Sequence, residues 1–256
     1  MGNALNRYFR RQLMLMSARS ANHIITPTNA MRDMLALWQP SIGGKCTVNP
    51  YGTINSAFRP GANPRRWRSD GTLKLLYVSV YYPHKVPGLI CQAVELLKVH
   101  GIKAHVTITM SLDELMDTKG SSLDKKILQD ANERGIVTLG QYRYDQLPQL
   151  YQEHDVFVFP SVSETFGHPM AEAMSTGIPV IASETPVNQE ICGDSALYFQ
   201  PFRVRDLVDK IQVLDRSETL RRKISNSGRA RAISRYSWDD HVDRLVDTFK
   251  AVAYGV

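Results

Sequence analysis

Between residues 73 and 199 short apolar runs alternate with stretches whose apolar positions recur every three or four residues. LKLLYVSVYY (73–82) predicts a strand and is followed by a helical pattern over 87–100. AHVTITM (104–110) predicts a second strand, leading into a helix broken near Gly120. IVTLGQY (136–142) precedes the helical DQLPQLYQEH, and DVFVFPS (155–161) precedes PMAEAMSTG; the strands PVIAS and ALYF follow. Strands joined through helices require right-handed crossovers, hence a parallel sheet covered on both faces. The pattern predicts an α/β, doubly wound domain over 61–217, its repeat running from about 71.

Both flanks read differently. Residues 1–60 read as a basic helix, a short strand at HIITPT, a helix at NAMRDMLALW and a Pro/Gly/Asn-rich linker, NPYGTINSAFRPGANP. One strand and one helix cannot make a sheet of their own, so this strand is expected to be an orphan. Residues 218–256 are helical in pattern. In YSWDDHVDRLVDTFKAV the apolar Val242, Leu245, Val246 and Phe249 share a face that a free helix would not expose.

Composition narrows the class. The chain has 256 residues, 43% apolar and 22% charged, which is ordinary for a globular protein. No apolar run approaches the roughly 18 residues of a membrane span. The start, MGNALNRYFRRQLMLMS, lacks the core and cleavage site of a signal peptide, and Asn6 breaks the myristoylation pattern. Cys46, Cys91 and Cys192 have neither disulfide parity nor metal-ligand spacing, which predicts a reduced, cytoplasmic setting. A net charge of +6 suits anionic partners, and equally suits a solvated surface. The basic clusters RYFRR (7–11) and PRRWR (64–68) lack the aromatic spacing of a nucleic-acid platform, so no nucleic-acid partner is expected. For PRRWR a solvated linker face ranks ahead of contact with the inner face of a membrane.

SETFGHPMAEAM (163–174) stands between a predicted strand and its helix, where open parallel sheets bind ligands. Gly167 permits close backbone approach, and Pro169 suits a first helical turn. His168 then becomes the N-cap, a poor one, leaving the N–H groups of Met170, Ala171 and Glu172 without a side-chain acceptor. Such a helix start suits a phosphate. Two carboxylates, Glu164 and Glu172, would repel a phosphate unless each accepts from hydroxyl groups. Phosphates flanked by polyols describe a nucleotide sugar.

SETFGHPMAEAMSTGIPVIAS, followed by Glu190 and GDSALYF, resembles the Glu-x7-Glu signature of the retaining glycosyltransferase family 4, whose members have the two Rossmann-like domains of the GT-B fold. ANHIITPTNAMRDML resembles the end of the family's N-terminal domain, VNPYGTINSAFRP its linker and YSWDDHVDRLV its C-terminal helix. The resemblance implies that Glu164 faces the donor hexose and that Glu172 holds the ribose. It sets the backbone of Gly167 and His168 near the sugar, and that of Met170 and Ala171 near the diphosphate. Lys85, in YYPHK, matches the lysine that neutralises the leaving diphosphate, and Gly140, Gln141 and Tyr142 fall where the base is held. Two family positions differ: Ser79 and Val80 replace a Gly-Arg pair, and Val86 replaces the glycine after the lysine. Arg143 and Arg59 are the candidates for replacing the missing charge.

The resemblance implies hexosyl transfer from a UDP- or GDP-sugar to a carbohydrate or lipid-linked hydroxyl, with retention and with no cofactor or metal. The family's glycine-rich loop and acceptor pocket would precede residue 1. That predicts either a truncated product or a separate polypeptide that completes the enzyme. The alternatives are a catalytically silent nucleotide-sugar-binding module and, less well matched, a sugar epimerase.

Overall fold

A computed structural model describes residues 2–62, 66–113 and 122–254; Pro64 and Arg65 of PRRWR and the helix break near Gly120 lie outside them. The chain runs α1 (Gly2–Ser20), β1 (Ile24–Thr26), α2 (Asn29–Trp38), α3 (Pro40–Gly43), β2 (Cys46–Val48), β3 (Leu73–Tyr77), α4 (Gly88–Val99), β4 (Ala104–Ile108), α5 (Ser122–Glu133), β5 (Val137–Leu139) and α6 (Leu147–Gln152). It continues β6 (Val156–Phe159), α7 (His168–Thr176), β7 (Val180–Ser183), α8 (Pro186–Cys192), β8 (Ala196–Phe199), α9 (Val204–Arg216), α10 (Glu218–Arg235) and α11 (Trp238–Tyr254).

The main sheet is six-stranded and parallel, in the order β5-β4-β3-β6-β7-β8. Its central strands are buried on both faces, as an all-parallel sheet requires: Leu75, Leu76, Val106, Ile108, Val156, Phe157, Val158, Phe159, Val180 and Ile181 are inaccessible. Successive strands step one way from β3 and the other way from β6, so the order reverses between these two neighbours. Crevices at such a reversal are where doubly wound sheets seat ligands.

Five elements differ from the sequence expectation. β3 ends at Tyr77 and does not extend to 82, because the Ser79 N–H turns to the Thr109 hydroxyl (2.9 Å) and Pro83 has no donor. The strand at HIITPT is no orphan: β1 pairs in parallel with β2 in a separate two-stranded sheet. Three residues, CTV, just after two glycines gave no strand signal of their own. The helices α8 and α9 also lacked a predicted counterpart.

α10 packs on α7, with Gly228 facing Met174 Cγ so closely that a β-carbon would stand 3.2 Å from it. α11 reaches the linker instead: Asn49 donates to the His241 carbonyl (3.0 Å), and Arg244 donates to Asn49 Oδ1 (2.9 Å). Phe58, from the linker stretch, is fully buried in the main core. Val242, Val246 and Phe249 on α11 are exposed, as are Tyr8, Phe9, Leu13 and Met14 on α1. Among the described residues no helix is long and apolar enough to cross a membrane.

Candidate active site

The loops leaving β3 and β6 meet at the strand-order reversal. After β3 the chain makes a 3-10 turn over Pro83–Lys85, held at both ends. Tyr77 donates its hydroxyl to the Lys85 carbonyl (3.0 Å), and the His84 carbonyl accepts from the Val162 N–H (3.0 Å) and the Ser161 hydroxyl (3.3 Å), both beyond β6. Lys85 is thereby aimed across the gap, where its Nζ lies 2.5 Å from Glu164 Oε1. Both side chains are largely shielded, at 14% and 11% exposure, so this pair is far less screened than a surface ion pair. Val86, at the position of the family's glycine, has φ +46°, a left-handed conformation costly for a β-branched side chain.

Phe166 anchors the turn beyond Glu164 from below, with its ring edge-on to Tyr51 and Tyr236. Gly167 then takes φ +85°, ψ +59° and is itself the N-cap of α7. This corrects the expectation for His168, which is already inside the helix. Only glycine enters this left-handed turn cheaply, so the cap falls one residue earlier. The His168 ring stacks on Tyr51 (5.1 Å between centroids) and faces Trp238 (6.3 Å), tying the turn to the linker and to α11. Burial, with His241 nearby, pushes its pKa down. No side chain caps the start of α7, as the sequence suggests; the Met170 N–H closes on the backbone carbonyl of Gly167 at 3.0 Å. Met170 and Ala171 bury their side chains in the core.

Glu172 lies one turn into α7, only 4% exposed. Its Oε1 accepts from the Tyr144 hydroxyl (3.0 Å) and its Oε2 from the Tyr151 hydroxyl (3.1 Å). Burial raises its pKa while the two tyrosine bonds oppose the rise. Tyr151 is fully buried, its hydroxyl proton shared between Glu172 and the Pro169 carbonyl (3.2 Å), whereas Tyr144 is 53% exposed. Neither tyrosine was singled out in the sequence, where both stand more than twenty positions upstream of their partner. Gly140, Gln141 and Tyr142 leave the end of β5, two strands from β3. Tyr142 packs on the core, and it is Tyr144, just beyond them, that reaches Glu172.

Arg143 is committed to Asp145 (2.5 Å), and Arg59 lines a cleft with Lys74, near the amino end of β3 and away from Lys85. Among the described residues no group of three His, Cys, Asp or Glu side chains is placed to hold a metal ion.

A strand-order reversal, a cation paired with a carboxylate across it, an uncapped helix start and a buried carboxylate on the next turn come together at the carboxyl end of the sheet of this α/β protein. Residues 62–231 match the family described as glycosyl transferases group 1, and the chain belongs to that family. It is similar to the O-antigen chain mannosyltransferase B of Escherichia coli, 28% identical over 176 residues that cover 68% of this chain and 45% of that protein. It is also similar to the O-antigen chain mannosyltransferase RfbU of Salmonella typhimurium, 27% identical over 195 residues covering 76% and 51%. The chain thus spans about half the length of these relatives. Among solved structures, a sucrose-phosphate synthase from Thermosynechococcus elongatus superposes with a TM-score of 0.80 at 21% identity, covering 96% of this chain and 63% of that one. Anabaena HepE in complex with UDP and glucose superposes with a TM-score of 0.78 at 17% identity, covering 94% and 66%. These two likenesses show that the chain shares the fold of the part of those GT-B proteins that it covers.

Proposed function

We propose that the chain is the donor-binding part of a glycosyltransferase that moves a hexose from a UDP- or GDP-sugar to an acceptor hydroxyl, carbohydrate or lipid-linked, with retained configuration. The observation that carries this reading is the Lys85–Glu164 pair at the strand-order reversal, beside the uncapped start of α7 and one turn from buried Glu172. A nucleotide sugar has a chemical group for each: diphosphate for Lys85 and the helix start, hexose for Glu164, ribose hydroxyls for Glu172. The names of the bacterial mannosyltransferase relatives support the same direction.

In this reading the anomeric bond ionises and the electron pair leaves with the diphosphate. Lys85 and the α7 dipole stabilise the charge that grows there, a preorganised electrostatic contribution. Glu164 faces the positive sugar, and the departing phosphate oxygen takes the proton of the hydroxyl attacking on the same face. Residues 140–142 lie toward the base. The scheme calls on no metal.

A thermal-shift screen of UDP-, GDP- and ADP-sugars tests the reading, since a ligand confined to the folded state raises the unfolding midpoint. A shift with one base series is expected; no shift at millimolar concentrations of any donor would contradict it.

A further inference from the structure

Glu190, on α8, lies outside the site described above, yet its carboxylate is fully engaged 160 residues back along the chain. Oε1 accepts from the Asn29 N–H (2.7 Å) and from Asn29 Nδ2 (2.8 Å), and Oε2 accepts from the Ala30 N–H (2.7 Å). These are backbone donors of the first turn of α2, which have no partner within their helix and sit at its positive end, so an ionised carboxylate is the strongest acceptor they could meet.

Glu190 is itself rigidly mounted. Arg231 donates to the Glu190 and Ile191 carbonyls (both 2.7 Å), and Tyr236 donates to that of Ile191 (2.8 Å). The amino end of α8 is capped by Thr185, and the Asn188 amide is buried against the Ser183 and Ser161 carbonyls.

What α2 does with this seat is visible at its own cap. Thr28 accepts from the Met31 N–H (3.2 Å) and, 99% buried, donates its hydroxyl to the carbonyl of Thr165 (3.0 Å). Thr165 is the residue after Glu164. Two sets of hydrogen bonds, joined by the backbone of residues 28–30, therefore form a series from the α8 carboxylate through the start of α2 to the turn that carries Glu164.

We propose that Glu190 is a positioning residue for the 164–167 turn, acting through α2 and Thr28. This rests on the reading of Glu164 as the residue that faces the donor sugar. The series makes the orientation of Glu164 depend on the β1–α2 segment and leaves Glu172 on α7 independent of it. Loss of Glu190 therefore weakens recognition of the sugar and spares the nucleotide.

The test compares dissociation constants, by calorimetry on the whole chain, for UDP against UDP-glucose and GDP against GDP-mannose. Glu190→Ala and Thr28→Val are each expected to weaken the nucleotide sugar by about 3- to 10-fold, the loss of a modest hydrogen bond, with the nucleoside diphosphate changed less than twofold. The double variant should be no worse than Glu190→Ala alone, because the two residues act in series. Thr28→Ser, which keeps the hydroxyl, should restore sugar recognition, and it carries the test if Glu190→Ala does not fold. Variants that lower the unfolding midpoint but leave the sugar-to-nucleotide affinity ratio unchanged would overturn the proposal and reduce Glu190 to a helix cap. A wild-type chain that binds nucleoside diphosphate without any effect of the sugar, or binds neither, would instead overturn the donor reading, and this proposal with it.

Discussion

Replacing Gly167 by alanine probes the turn on which the site depends. At φ +85° an added β-carbon meets the left-handed penalty, worth about 1–2 kcal/mol. It would also stand 2.5 Å from Met170 Cε and 3.6 Å from the Phe159 ring. Met170 and Phe159 are both fully buried, so the methionine must leave its rotamer, an overpacking cost of about 1–3 kcal/mol. Restricting the unfolded chain returns about 0.4–1 kcal/mol, leaving a net loss of about 1–5 kcal/mol. Gly177, the C-cap of α7, is the internal control: φ is +78°, but its β-carbon would meet nothing nearer than Pro60 Cγ at 3.8 Å. Gly177→Ala should therefore show the backbone penalty without the clash. Equilibrium urea unfolding of both variants measures the difference, provided the slope with denaturant is unchanged. Equal losses would remove the clash with Met170, and no loss at Gly167 would refute the left-handed turn itself.

Other outcomes follow from the same geometry. Tyr151→Phe deprives buried Glu172 of a donor and should cost about 1–3 kcal/mol, read as a lower midpoint in thermal unfolding. A double-mutant cycle of Lys85→Met with Glu164→Gln should give a coupling of about 1–3 kcal/mol, between exposed and fully buried pairs; additive losses would deny the pair its weight. Glu172 is held above its ordinary pKa of 4.5 by burial, so between those two values the folded chain keeps a proton that the unfolded chain has released. Stability then falls as pH rises through that window, and Glu172→Gln should flatten the fall in urea titrations across the mildly acidic range.

Much of this was legible in the sequence because periodicity reports burial. The runs at 104–110, 155–161 and 179–183 became strands β4, β6 and β7, and the position of SETFGHPMAEAM beyond a strand placed Glu164 at the sheet's carboxyl end. Lys85 and Glu164, 79 positions apart, meet because β3 and β6 are neighbours, a pairing the doubly wound pattern implies. Long-range side-chain geometry was not legible. Nothing in Tyr144 or Tyr151 marks it as a partner of Glu172, and nothing in Glu190 marks it as the cap of a helix 160 residues away. β2 was missed because three residues are too few to show a period, and its partnership with β1 is a tertiary fact. His168 reads as the cap because Pro169 suits the first helical position, whereas the left-handed backbone of Gly167 places the cap one residue earlier.

The proposed division of labour, Glu172 on the nucleotide's ribose and Glu164 on the sugar side, is open to a single comparison. Calorimetric titration of a nucleoside diphosphate, UDP or GDP as the donor screen selects, into wild type, Glu172→Ala and Glu164→Ala tests it most directly. Glu172→Ala should lose about 1.5–3 kcal/mol of binding, as for a hydrogen bond to a charged group, while Glu164→Ala stays near wild type. Equal affinities in the two variants, or a greater loss in Glu164→Ala, would contradict it.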